Sequence, residues 1–314
     1  MHNRLDIIQK IHKLLIETGY NVFPAYSIRT IGFDLICKKK DKILIIKILV
    51  NIDALKKDVV DDLKLLSKVC EAFPIIIGLK NGSGLLEDDV LYNRHGISII
   101  TPFTFYNFIV NDECPIIFAA PGGFYVKLDN ELLKKIKKER QISLGTLAKS
   151  VGVSRRTIQH YEEGMNATID IAIRLEEFLE VPLIQSVNPL EQYKQIEKKE
   201  IKNVDSFMNE VLSNFLRLDY DVYLTSKCPF EYITERLENI FLTKVSASEE
   251  VIKSSAKNIA SISKVIEKDS VMIVKTNFKK TNVDGVPLIS IEELETSESS
   301  RDIFSLIKER KKDA

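Results

Sequence analysis

Apolar positions recur at a helical period across Ile7–Thr18, and the same pattern returns across Phe207–Leu218. The residues after each stretch also match. Tyr20-Asn21-Val22 has a counterpart in Tyr220-Asp221-Val222, and Phe33-Asp34 has one in Phe230-Glu231. Apolar strand-like runs then reach Ile46-Lys47-Ile48 and Thr243-Lys244-Val245, with the same separation between acid and lysine in both copies. A second helical pattern ends in Leu66-Ser67-Lys68-Val69 and in Ile262-Ser263-Lys264-Val265. Buried-type runs Ile75–Leu79 and Val271–Lys275 come next, and each copy closes on a glycine before a strand, Gly96-Ile97 and Gly285-Val286. The pattern predicts helix, strand, strand, helix, strand, strand in each copy. That is a small mixed sheet covered by helices, present twice.

Between the copies the punctuation changes. Ala120-Pro121-Gly122-Gly123 marks a turn within 116–129, which reads as a hairpin linker. Asn130–Pro182 then reads as helices only. Ser143 and Ser154 stand where two helices need N-terminal caps. Two helices that cross steeply through a tight turn need particular side-chain sizes at particular offsets. Leu147 supplies a core anchor, and Ala148 is small where the next helix passes close. Gly152, flanked by Val151 and Val153, is free to take a positive φ. Ile158 and Tyr161 face inward, and Gly164 ends the second helix. Leu132, Leu133 and Ile136 form a stripe on a preceding helix. Ile169, Ala172, Ile173, Leu175 and Leu179 form one on a following helix that Pro182 stops. The expected fold class is α/β plus all-α. Its domains are 1–115 (α/β), 130–188 (helix-turn-helix) and 204–296 (α/β). A charged linker covers 189–203, and the charged tail 297–314 is expected to be frayed or loosely docked.

Composition narrows the function classes. The 314 residues are 45% apolar, enough for real cores, and no apolar run is long enough to span a bilayer. Cys37, Cys70, Cys114 and Cys228 are scattered without metal or disulfide spacing, and read as reduced thiols of a cytoplasmic protein. His2, His12, His95 and His160 are equally dispersed, so neither a metal nor a cofactor is called for. Net charge is zero, yet its distribution is uneven. Tyr125–Tyr161 carries nine basic residues against three acidic, while Glu162–Val181 carries six acids against Arg174 alone. One end of the central domain is therefore basic and the other acidic, a polarity suited to duplex DNA.

The stretch Ser154-Arg155-Arg156-Thr157-Ile158-Gln159-His160-Tyr161-Glu162-Glu163-Gly164 resembles the Cro/phage-repressor superfamily. That resemblance covers about Asn130–Pro182. It implies five helices, with the second and third forming the motif, and a recognition helix over Arg155–Glu163 lying in the major groove. Arg155, Arg156, Gln159 and His160 are the candidate base contacts, since Arg pairs with guanine and Gln with adenine. Ser154, Thr157, Lys149 and Asn166 are the candidate phosphate contacts. One position departs from the family: Leu144 stands where those repressors often carry a phosphate-binding Gln. The whole chain also resembles a family of archaeal helix-turn-helix regulatory proteins. The residues that carry this are Phe33-Asp34-Leu35, Lys47, Asn51-Ile52-Asp53, Ala119–Val126 and Asp284-Gly285-Val286. It implies transcriptional regulation. A single reading head selects too few base pairs, so a homodimer held by Met1–Val110, Phe207–Leu294 or both is expected. No motif specifies the operator, the effector or the sign of regulation.

A second class stays open. An acid followed by a lysine on the next strand is similar to restriction-endonuclease-like nucleases, which use Asp and Glu/Asp-x-Lys to hold a divalent metal. Asp34 and Lys47 fit that pattern, with Glu17 as a possible helper, but the second carboxylate position is Ile45. The other copy pairs Glu231 with Lys244 and has Leu242 there. The expectation is a degenerate scaffold without a catalytic residue. A DNA-processing enzyme with a targeting module, and an interaction scaffold with a non-binding helix-turn-helix, are the alternatives.

Overall fold

The computed structural model describes residues 3–28, 31–190, 205–275 and 280–312. Most of the expected linker at 189–203 lies outside them. The first copy runs α1 (Arg4–Glu17), β1 (Asn21–Pro24), β2 (Leu35–Lys39), β3 (Lys42–Asn51), α2 (Lys57–Val69), β4 (Ala72–Asn81), β5 (Gly84–Leu85), β6 (Val90–Arg94), β7 (Ile97–Ile100) and α3 (Pro102–Tyr106). The middle runs β8 (Ile117–Ala120), β9 (Gly123–Leu128), α4 (Asn130–Glu139), α5 (Leu144–Val151), α6 (Arg155–Glu162), β10 (Ala167–Thr168), α7 (Ile169–Leu179) and β11 (Ile184–Gln185). The second copy runs α8 (Ser206–Arg217), β12 (Asp221–Leu224), β13 (Tyr232–Arg236), β14 (Asn239–Ser246), α9 (Glu249–Ile266), β15 (Asp269–Val274), β16 (Asn282–Val283), β17 (Val286–Ser290), α10 (Ile291–Thr296) and α11 (Ser300–Lys312).

The duplication extends to backbone detail. The helix before β1 ends at Gly19 (φ +84°), and its counterpart before β12 ends at Asp219 (φ +61°). The β2–β3 hairpin turns through Lys40 (φ +52°), and the β13–β14 hairpin through Leu237 (φ +55°). After α2 stands Glu71 (φ +52°), and after α9 stands Glu267 (φ +55°). Non-glycine residues seldom adopt this conformation, so its recurrence at matched places likens the two copies beyond their sequence pattern. The sequence pattern reads two strands between the first two helices of each copy, where the structure folds three. The hairpin turn residues, Lys40-Asp41 and Leu237-Glu238, carry none of the usual glycine or asparagine signals.

The chain divides into two compact units. One comprises Met1–Ile7, Ile48–Ala54 and Ile75–Glu191. Within it β4 pairs in parallel with β7, which pairs antiparallel with β6. β6 pairs in parallel with β8. The β8–β9 hairpin closes through Ala120↔Gly123, and β9 also pairs with β10 and β11. Gly122 (φ +98°) and Gly123 (φ +142°) make that turn, where a side chain would be strained. The central body has four helices, not the five expected. After α7 the chain turns through Glu180 (φ +50°), and β11 joins β9 in place of a fifth helix.

The other unit comprises Ile8–Lys47, Leu55–Pro74 and Gln192–Ala314. It holds the β1–β2–β3 ribbon and a complete sheet in the order β12-β13-β14-β15-β17-β16. Tyr232, Phe241, Phe215 and Ile273 lie at the centre of that sheet's core. The described part of the tail forms a helix seated on this unit. Ile303 and Ile307 of α11 are fully buried, Lys308 and Lys311 pair with Asp269 at 2.9 and 2.7 Å, and Arg310 grips Glu293. Burial raises the Asp269 carboxyl, but the two lysines outweigh this and hold it below its ordinary value. The charged sequence of the tail hides a narrow apolar stripe at i and i+4.

Inside this second unit the two copies clasp each other. Helix α9 lies against β1 and β2. The Asp62 carboxylate, buried on α2, accepts the backbone N–H groups of Ser226 (2.8 Å) and Lys227. Gly32 N–H donates to the Lys227 carbonyl at 2.6 Å, and Lys38 pairs with Glu267 at 2.5 Å. Replacing Asp62 by alanine removes the acceptor of two part-buried backbone hydrogen bonds. Asp62→Ala is expected to destabilise the chain by about 3 kcal/mol, read as a lower urea midpoint. An unchanged midpoint would show that this clasp contributes nothing to stability.

Candidate nucleic-acid interface

The helical body is built from capped ends. Asp129, directly after β9, accepts the Leu132 N–H at 2.9 Å and so starts α4. Ser143 accepts the Thr146 N–H and Ser154 the Thr157 N–H, each at 3.0 Å, starting α5 and α6 as the sequence predicts. Gly152 (φ +80°) ends α5, and its N–H and that of Val153 both return to the Ala148 carbonyl at 3.0 Å. That turn aims α6 across α5. Leu147, Val151 and Ile158 are fully buried, Ala148 and Tyr161 nearly so, and Val153 packs at the margin of the same core. Burial raises the Tyr161 hydroxyl above its ordinary value.

The outer surface of α6 carries the expected reading residues. Arg155, Arg156 and Gln159 are exposed, and His160 is half-buried. Three features there are not legible in the sequence pattern. A Cβ on Gly145 would come within 3.0 Å of Arg155 Nε and Nη2, so that guanidinium lies over the bare first turn of α5. Arg156 Nε donates to His160 Nε2 at 3.3 Å, and His160 Nδ1 stands 3.4 Å from the Glu163 carboxylate. Ser154 and Thr157 share a hydroxyl hydrogen bond of 2.8 Å. A helix-weakening glycine one residue into α5 is the only sequence signal for the first of these.

Of the expected phosphate contacts, Lys149 on α5 and Asn166 in the loop after Gly164 are exposed, as is Ser154. The basic excess is thinner than counting suggests. Lys137 pairs with Glu162, Arg140 Nη1 donates to the Leu179 carbonyl (2.7 Å), and Arg174 Nη1 to the Val151 carbonyl (3.3 Å). These three side chains hold the body together, whereas Lys149, Arg155 and Arg156 face solvent.

The other candidate site is the acid–lysine pair. Lys47 Nζ is 3.8 Å from Asp34 Oδ1, with Asp34 buried and Lys47 half-buried. Lys244 Nζ is 2.5 Å from Glu231 Oε1, while Glu231 Oε2 accepts the Val245 N–H at 2.7 Å. Glu17 points to solvent and pairs with Lys13 at 3.6 Å. Strand alternation puts position 45 on the Lys47 side and position 242 on the Lys244 side. Ile45 and Leu242 are fully buried there. Among the described residues no cluster of three His, Cys, Asp or Glu could hold a metal. These residues do not fit the divalent ion that the nuclease fold implies.

Sheet, acid–lysine pair and capped helix pair together define a helix-turn-helix protein with a nuclease-like α/β domain. Family models agree: Arg4–Pro115 matches the PD-(D/E)XK superfamily domain, and Leu133–Gln185 matches a helix-turn-helix family. The chain belongs to a family of archaeal HTH-type transcriptional regulatory proteins, whose members carry that role provisionally in their names. It is 36% identical to a relative from Methanococcoides burtonii over 98% of this chain and 97% of the other. It is 35% identical to one from Picrophilus torridus over 99% of each chain. It is 32% identical to one from Archaeoglobus fulgidus over 97% of each. No solved structure matches. No helix among the described residues is long and apolar enough to cross a membrane.

The α5–α6 turn sets the aim of everything on α6. Gly152→Ala forces a side chain into a positive φ beside Arg174 Nη1, 3.3 Å from the new Cβ. A loss of about 1–2 kcal/mol is expected in chemical denaturation. A neutral effect would mean the turn relaxes freely and does not fix the helix.

Proposed function

We propose that the protein is a cytoplasmic, sequence-specific regulator of transcription that reads duplex DNA through the α6 face. The observation that carries this is the exposed trio Arg155, Arg156 and Gln159 at the start of a short helix held by caps at both turns. A helix entering the major groove presents its first turns to base edges, where Arg and Gln find two-pronged partners. His160 extends that face. Lys149, Ser154, Thr157 and Asn166 border it and fit the two flanking phosphate strands. Names of relatives and the helix-turn-helix match support a DNA-binding regulator.

The α/β copies serve this reading as a scaffold and not as a nuclease, because the metal-ligand position is apolar in both. Footprinting on the native genome tests the main claim. Protection of discrete sites supports it, while metal-dependent cutting of plasmid DNA that Asp34→Ala abolishes would replace it with the enzyme reading. The functional form in this proposal is a homodimer. An exposed apolar stripe at Phe103, Tyr106 and Val110, within the first α/β copy, supports pairing there. Light scattering of the free protein and of its DNA complex checks it, and a monomer in both states would end that part.

Two substitutions separate the assigned roles. Arg156→Ala is expected to weaken the specific site by about 1–3 kcal/mol and to relax one base position. Lys149→Ala is expected to weaken all sequences alike and to flatten the salt dependence by about one unit. Binding titrations over a panel of sites and salt concentrations measure both. Identical profiles for the two variants would mean that α6 is docked the wrong way in this proposal.

A further inference from the structure

The first unit contains a cleft of about 280 Å³ that neither the DNA face nor the acid–lysine pair explains. Asp53, Asn81, Tyr92, Asn93 and Arg94 line it, and the tip of the β8–β9 hairpin at Pro121 completes it. Its chemistry depends on which polar atoms are already used. Asp53 Oδ1 accepts from Arg94 Nη1, and Asp53 Oδ2 accepts the Gly82 N–H at 2.6 Å. Asn81 Oδ1 accepts the N–H groups of Ser83 (2.9 Å) and Gly84 (3.1 Å). Asn93 Oδ1 accepts the Gly96 N–H at 3.0 Å. Tyr92 Oη accepts the Glu87 N–H at 2.9 Å.

Every side-chain oxygen in this lining therefore already accepts at least one hydrogen bond from the protein itself. The backbone donors also fix which way both asparagine amides face, because only their oxygens can accept. The side-chain donors that the protein leaves unused are the two Nδ2 groups, the Tyr92 hydroxyl hydrogen and the Nε–Nη2 edge of Arg94. Arg94 Nε is buried and has no hydrogen-bond partner. A buried charged donor without a partner is costly, and a small turn of the side chain toward an oxygen in the cleft would relieve it. The Nε–Nη2 edge is the side of a guanidinium that takes a carboxylate or phosphate in two-pronged fashion, and Asp53 occupies the other end.

From this we propose that the cleft binds a small molecule bearing a carboxylate or phosphate group. Asp53 balances the Arg94 charge, so hydrogen-bond geometry and not net charge selects the ligand. The hairpin tip forms one wall of the cleft, and its second strand, β9, pairs with β10 and β11 and runs directly into the α4 cap. Occupancy would thus bias the strand that carries the helical body. This last step rests on the DNA-reading function proposed above, whereas binding itself does not.

The test is isothermal titration of the full chain with acetate, succinate, L-glutamate, citrate and inorganic phosphate, with putrescine as a donor-only control. At least one oxyanion is expected to bind saturably, one per chain, and putrescine is not. Asn93→Asp keeps the oxygen that accepts the Gly96 N–H but turns the free donor into an acceptor, so the turn survives. It is expected to weaken that anion at least about tenfold. Arg94→Lys keeps a cation beside Asp53 but removes the Nε edge, and should weaken it similarly. Lys149→Ala, on the DNA face, should leave anion affinity unchanged. The site is overturned if none of these oxyanions binds at millimolar concentration, if putrescine binds as well, or if the bound anion ignores both cleft variants. Repeating the footprint titration with the anion present reads the coupling separately. Unchanged DNA affinity at saturation overturns the coupling alone, and failure to find any DNA site overturns the reading head without touching the cleft.

Discussion

Strand β9 must satisfy its backbone groups on both edges, and the first unit is organised by how it does so. One edge takes β8 and, through β8, the β6 strand of the α/β sheet. The other takes β10 at Val126 and β11 at Leu128, segments on either side of α7. The next residue, Asp129, caps α4 and donates its own N–H to the Leu183 carbonyl at 2.8 Å. One short strand thus anchors both ends of a helical body that would otherwise hang on a flexible tether. Val126 and Leu128 also enter that body's core, so strand pairing and apolar burial act at the same positions.

Local signals are legible where a single residue type solves a local problem. Ser143, Ser154, Asp129 and Gly152 occupy helix ends, where caps and left-handed turns admit few residue types. The duplication is legible because a copied chain repeats its whole pattern. The features that escape depend on contacts remote in sequence. β10 and β11 are two residues long, too short for any periodicity to betray them, and β11 follows α7 where the repressor resemblance implies a fifth helix. The clasp through Asp62 joins residues 164 positions apart. The overlap of Arg155 with Gly145 exists only once α5 and α6 have crossed. The charged tail misleads because Ile303 and Ile307 are a minority among lysines and acids, yet two fully buried isoleucines suffice to seat a helix.

Both acid–lysine pairs stand beside an apolar residue, Ile45 or Leu242, where a PD-(D/E)XK metal site needs a second carboxylate. Asp34 is buried and the other three side chains are half-buried, and the acids' partners are close: a lysine for Asp34, and a lysine and a backbone N–H for Glu231. Removing one partner of such a pair is far more damaging than never having had it, because the survivor becomes an unpaired buried charge. That asymmetry gives each pair a structural reason to persist beside Ile45 and Leu242.

The clasp between the two copies makes the chain its own partner. Two identical subunits drawn from one gene must accept every substitution twice, once on each side of their symmetry axis. Here the halves are tethered in one polypeptide, so a change on one side need not be tolerated on the other. The differences already present, aspartate at 34 against glutamate at 231 and isoleucine at 45 against leucine at 242, are what such freedom allows. Dilution cannot separate these halves either, since their encounter is intramolecular at any protein concentration. The fold has thereby exchanged a symmetry that association would have to maintain for an asymmetry that inheritance can shape.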